Sequence, residues 1–123
     1  MTATLRIELF VECLDAFADF YVRVLGFEIA DDRRDGSDGY VSVRRGAVKV
    51  GAVRSWTVVD RDRRSVPTGT ELVLEVDDLA AEYSRVLDTG WDVEGPMSTR
   101  PWGLRDFRLH DPDGYYWRIT ARV

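Results

Sequence analysis

The chain carries a weak internal repeat, and that repeat limits its fold more than any other feature. Residues 5–11 alternate apolar and polar, pass through Glu12-Cys13-Leu14-Asp15 into a helical pattern ending at Leu25, and close on Gly26-Phe27-Glu28-Ile29. Residues 71–76 again read as a strand, pass through Asp77-Asp78-Leu79 into a second helical pattern ending at Leu87, and close on Gly90-Trp91-Asp92-Val93. Each closing sequence is a glycine, an aromatic, an acid and a β-branched residue, the chemistry of a helix stop followed by a strand. Two more strands are predicted after each closing strand. In the first half they cover residues 40–44 and 47–54 around Arg45-Gly46. In the second they cover residues 104–110 and 115–123 around Asp111-Pro112-Asp113-Gly114. Each half therefore reads βαβββ.

Both helices are amphipathic. Phe17, Phe20, Tyr21, Val24 and Leu25 fall on one face of the first, and Leu79, Tyr83, Val86 and Leu87 on one face of the second. A module of about 55 residues has too little core to be comfortable alone. The expected fold is α+β: two βαβββ modules whose sheets curve around a shared cup, in a single domain of residues 1–123. The first module spans residues 1–54, a polar, breaker-rich linker 55–70, and the second module 71–123. Residues 31–39, rich in Asp, Arg and Gly, read as a solvated loop.

Composition excludes several classes. With 17 Lys and Arg against 22 Asp and Glu the net charge is −5, which argues against a nucleic-acid partner and is compatible with attracting cationic small molecules. No apolar run is long enough to span a bilayer, and the N-terminal residues lack a signal-peptide profile, so a cytoplasmic location is expected and no membrane partner. The single cysteine, Cys13, agrees with a reducing compartment. No glycine-rich phosphate loop, CxxC or serine nucleophile elbow is present.

The strand–DPDG–strand unit near the C-terminus resembles the vicinal-oxygen-chelate superfamily of glyoxalases, extradiol dioxygenases, fosfomycin-modifying enzymes and bleomycin-resistance proteins. The likeness extends to the V-x-x-L-x-x-x-x-x-F-Y-x-x-x-L-G-F pattern that begins at Val11. In metal-dependent members, four His, Gln or Glu side chains point into the cup from four strands. Counting from Val11, from Val76 and from the DPDG glycine puts three of these positions at Arg6, Glu71 and Arg118, and alternation selects Lys49 for the other. Guanidinium and ammonium groups are not ligands for divalent cations. The resemblance thus implies no metal and no cofactor here, and points to the antibiotic-binding, bleomycin-resistance-like branch. Residues 102–114 resemble that branch's G-x-R-E-F…D-P-x-G segment.

Strand parity turns Arg6, Glu8, Phe10, Tyr40 and Tyr116 toward the cup, with Leu5, Ile7, Leu9 and Val11 turned to the helix. Phe27 and Trp91, at matching positions of the repeat, are expected in the core together with Trp117. Trp102, Tyr116, Phe10 and Tyr40 are the candidates for stacking on a planar ligand, while Arg6, Lys49, Glu71 and Arg118 would orient its polar groups. Closing a sheet edge or a dimer interface is the other role open to these aromatics, and Trp56 favours the interface. His110 is expected at the rim or in solvent, and Cys13 in a capping or packing role. The expected function is sequestration of a planar natural product or antibiotic by a homodimer that leaves it unaltered. The alternatives are a metal-independent lyase, isomerase or other enzyme using Glu71, Glu8 or His110, and a structural or regulatory partner with a filled cavity.

Overall fold

The computed structural model describes residues 2–37, 39–64, 70–99 and 105–122. The chain divides into two units, Met1–Val59 and Asp60–Val123. Each is an α+β unit built on a four-stranded sheet, in keeping with two modules of one design.

In the first unit β1 (Ile7–Val11) pairs in parallel with β4 (Val48–Arg54). Strand β4 pairs antiparallel with β3 (Tyr40–Arg45), and β3 with β2 (Glu28–Arg33), giving the order β1-β4-β3-β2. Side chains alternate across a strand, so one face collects Leu9, Val11, Val41, Val43, Val50 and Ala52, all buried. The helix α1 (Leu14–Asp19) covers that face with Leu14, Phe17 and Ala18. It does not continue as an α-helix to Leu25. Over Phe20–Val24 the turns widen, and the Leu25 N–H donates to the Phe20 carbonyl at 3.2 Å. This π-type segment turns Phe20, Tyr21 and Val24 into the core together.

Three first-half expectations change. Asp31, Asp32 and Arg33 are not loop but the end of β2, which shifts register between Ile29 and Asp31. The shift broke the alternation that would have marked a strand. Leu5 is 81% exposed, because the paired strand begins only at Ile7. Cys13 precedes α1, but its side chain makes no capping hydrogen bond and is exposed.

In the second unit β5 (Leu72–Val76) pairs in parallel with β8 (Tyr116–Ala121). Next come β7 (Arg105–His110) and the two-residue β6 (Ser98–Thr99), both antiparallel. The helix α3 (Leu79–Asp88) starts at Asp78, whose carboxylate accepts the Ala81 N–H at 3.0 Å. Val86 of this helix is buried, as are Leu74, Val76, Phe107, Leu109, Trp117 and Ile119 of the strands. Tyr83 meets the Phe107 ring edge-on, with 5.1 Å between centroids. Leu87, expected on the same apolar face, is 49% exposed at the helix end.

Gly90-Trp91-Asp92-Val93 is not a strand. The Trp91 indole N–H donates to the His110 carbonyl at 2.8 Å, and one backbone bond, Glu94 N–H to Arg108 carbonyl at 2.7 Å, ties the segment to β7. Gly95 (φ 72°) and Pro96 then interrupt any ladder before β6. Trp91 is accordingly half-buried, whereas Phe27 is in the core as expected. Within the stretch read as linker, Arg61–Arg64 forms a single helical turn, α2.

Helix α2 packs on the DPDG turn. The Gly114 N–H closes the turn onto the Asp111 carbonyl at 3.0 Å, and the Asp111 carboxylate accepts the N–H groups of Asp113 and Tyr115, each at 2.9 Å. Arg61 donates to the Pro112 carbonyl at 2.6 Å, and the Arg64 guanidinium lies 4.4 Å from the Tyr115 ring centre. Gly114 has φ +88°, and a Cβ there would sit 2.8 Å from the Arg61 Cα, so only glycine fits. Asp111 is buried, and removing its carboxylate strands two backbone donors. Asp111→Ala is expected to cost about 1–3 kcal/mol, read as a lower denaturation midpoint at unchanged slope.

Candidate functional site

The polar face of the first sheet forms a groove of about 530 Å³. Arg6 and Glu8 come from the β1 side, Asp31 and Arg33 from β2, Tyr40, Ser42 and Arg44 from β3, and Lys49 and Val53 from β4. The same alternation that buries the apolar residues sends these to the opposite face. Arg6 pairs with Glu8 at 3.0 Å, and Arg33 with Asp31 at 3.1 Å. The Tyr40 hydroxyl donates to the Glu8 carboxylate at 3.3 Å, and the Arg33 guanidinium lies 5.0 Å from the Tyr40 ring centre. Burial, and next the Glu8 charge, push the Tyr40 phenol above its ordinary pKa. Phe10, on the same face of β1, meets the exposed Trp56 ring edge-on at 5.0 Å.

The polar face of the second sheet is built on β7 and β8. Arg118 lies opposite Arg108, and Tyr116 opposite His110. The Arg118 Nε stands 2.7 Å from a Glu71 oxygen. That contact is an ion pair without hydrogen-bond alignment, since the buried Nε atoms of Arg118 and Arg108 have no hydrogen-bond acceptor among the described residues. Asp106, buried, stands 3.7 Å from Arg108. The Tyr116 hydroxyl donates to Glu94 at 2.8 Å, and His110 lies 3.7 Å from the same carboxylate with its ring 4.9 Å from that of Tyr116. Burial and the Glu94 hydrogen bond push the Tyr116 phenol up as well.

Of the eight binding residues expected from sequence, Arg6, Tyr40 and Lys49 line the first-half groove. Phe10 borders the same face beside Trp56. In the second half Glu71 and Arg118 are joined as an ion pair, and Tyr116 is only 8% exposed, so it presents a hydroxyl network more than an open ring. Trp102 lies outside the described residues. His110, expected at the rim or in solvent, is half-buried against Tyr116. Sequence reasoning missed Asp31 and Arg33, hidden by the β2 register shift, and Glu94, which sits past the strand that does not form.

The two sheets can be matched strand by strand through their registers. Glu8 pairs with Gly51, which pairs with Ser42; Val73 pairs with Arg118, which pairs with Arg108. Gly51 is therefore the first-half counterpart of Arg118, and Lys49 sits two residues along the same face. A Cβ at Gly51 would run into the Glu8 carboxylate and the Tyr40 hydroxyl, and would stand 2.9 Å from the Tyr40 ring carbon bearing it. Neither unit offers a ligand set for a divalent cation at these positions: Arg6, Lys49 and Gly51 of the first supply no conventional donor, and in the second the Glu71 carboxylate already faces Arg118. Among the described residues no group of three or more His, Cys, Asp or Glu is arranged to hold a metal ion.

The sequence profile of the Glyoxalase/Bleomycin resistance protein/Dioxygenase superfamily matches residues 4–119, and the chain belongs to that family. Among solved structures, TioX from Micromonospora sp. ML1 is similar in fold, with 24% identity and a TM-score of 0.77 over 99% of this chain and 100% of TioX. TnmS3, an antibiotic binding protein from Streptomyces sp. CB03234, has 25% identity and a TM-score of 0.74 over 100% of this chain and 98% of its own. A glyoxalase/bleomycin resistance protein from Streptomyces sp. CB03234 has 26% identity and a TM-score of 0.70, covering 96% of this chain and 99% of its own. A search of curated proteins gives no significant match. Among the described residues no helix is long and apolar enough to cross a membrane.

Both raised phenols make a pH prediction. Folding favours their protonated forms, so the associated stability is complete below the unfolded phenol pKa of about 10 and is lost as pH climbs through the folded values. Absorbance titration of phenolate should show late ionisation steps, above pH about 10, from Tyr40 and Tyr116. Tyr40→Phe and Tyr116→Phe should each remove one of these late steps.

Proposed function

We propose that this protein binds a planar small molecule, a natural product or antibiotic, and sequesters it without chemical change or a metal. The observation that carries this reading is the first-half groove, where Tyr40 stands among ion-paired side chains at positions unsuited to metal ligation. The family and its likeness to TnmS3, an antibiotic binding protein, support the same reading. In this reading the protein works in the cytoplasm as a homodimer, with neither nucleic acid nor membrane as a partner. Trp56 and Val58, 81% and 96% exposed, supply apolar surface for a second copy. Tyr40, Phe10, Tyr116 and Trp102 contribute aromatic surface, and Arg6, Lys49, Glu71 and Arg118 meet polar groups.

A second reading, a metal-independent enzyme, is favoured by the Tyr116–Glu94–His110 cluster, which could exchange a proton with a bound molecule. One titration separates the two. Aromatic natural products should quench tryptophan fluorescence saturably and be recovered at unchanged mass. Tyr40→Ala should weaken binding by about 1–3 kcal/mol, the scale of one stacking contact. Recovery of an altered compound, with turnover lost in Glu71→Gln or His110→Gln, would replace sequestration with catalysis.

A further inference from the structure

We propose that the ligand of the first-half groove carries an oxyanion (a carboxylate, phosphate or sulfonate) seated between Arg44 and Lys49. This deepens the binding reading above and rests on it. The groove brings together four cations, Arg6, Arg33, Arg44 and Lys49, against two carboxylates, Glu8 and Asp31. It does so in a chain where acids outnumber bases, 22 to 17. The local field is thus opposite in sign to the net charge, and a groove focuses such a field on what enters it.

The pairing inside the groove sharpens this. Glu8 is taken by Arg6 and Asp31 by Arg33. Arg44 and Lys49 make no ion pair or side-chain hydrogen bond among the described residues. They are nevertheless directly opposed across β3 and β4. Like charges so placed repel, and the sheet gains nothing internal in return. Glu28 is the other cross-strand neighbour of Arg44, yet it forms no ion pair with it. A solvated pair of cations at the sheet surface is the plain alternative. What favours a ligand is that the pair opens onto a groove with Tyr40 and Ser42 further along the same strand face. A planar body against Tyr40 would place an acidic substituent within reach of two cations.

Two dyes sharing one ring system test the proposal: anilinonaphthalene sulfonate, which is anionic, and N-phenylnaphthylamine, which lacks the sulfonate. The sulfonate dye should bind at least about tenfold more tightly, the value of a charge-assisted contact, and more weakly as salt rises. In the double variant Arg44→Gln, Lys49→Gln that preference should vanish, with a circular-dichroism spectrum like the parent's reporting that the variant is folded. Arg23→Gln, outside the groove, should behave as the parent. Equal binding of the two dyes to the parent, or a sulfonate preference that survives the double variant, overturns the anion seat and leaves the binding reading standing. Failure of both dyes to bind overturns the seat and the planar-ligand reading together.

Discussion

Two parallel strand pairings, β1 with β4 and β5 with β8, set the chemistry of both halves. In each, a residue and its partner share a face, so one register decides which side chains meet the helix and which face away from it. Sliding either pair by one residue would send Leu9 and Val11, or Leu74 and Val76, to the polar face and draw Glu8 or Glu75 under the helix. Burying an unpaired carboxylate there is far costlier than any single surface contact is worth, so the apolar faces hold the polar faces in register. The groove's ion pairs depend on that arrangement and do little to create it.

The repeat was legible in the sequence because it is written in local patterns: alternation in residues 5–11, an apolar strand run in 71–76, helical spacing from Phe17 and from Leu79, and a glycine after each helix. The parity argument put Arg6, Tyr40 and Lys49 on one face, and they line one groove. Sequence reasoning failed where backbone irregularity replaces periodicity. The register shift in β2 disguised Asp31 and Arg33 as loop residues, and the missing strand at Gly90–Val93 hid Glu94. The widened turn at Phe20–Val24 has no local sequence signal, because α and π spacing bury nearly the same residues there.

Charge shows a similar gap between whole and part. A net charge of −5 is compatible with cationic ligands, yet the first-half groove is lined by more bases than acids. Composition averages over the surface, whereas binding depends on the small area a ligand touches. The second sheet solves the problem of clustered cations differently, with Glu71 and Asp106 placed beside Arg118 and Arg108.

Gly51 decides what can pass over the middle of β4. The volume a side chain would need at that point is held by the Glu8 carboxylate and the Tyr40 hydroxyl, which also bond to each other. A side chain placed there would push both of these side-chain ends aside and part them from each other. A bare backbone at residue 51 is thus what lets a carboxylate and a phenol cross the strand and meet, and any larger residue would exchange that contact for its own volume.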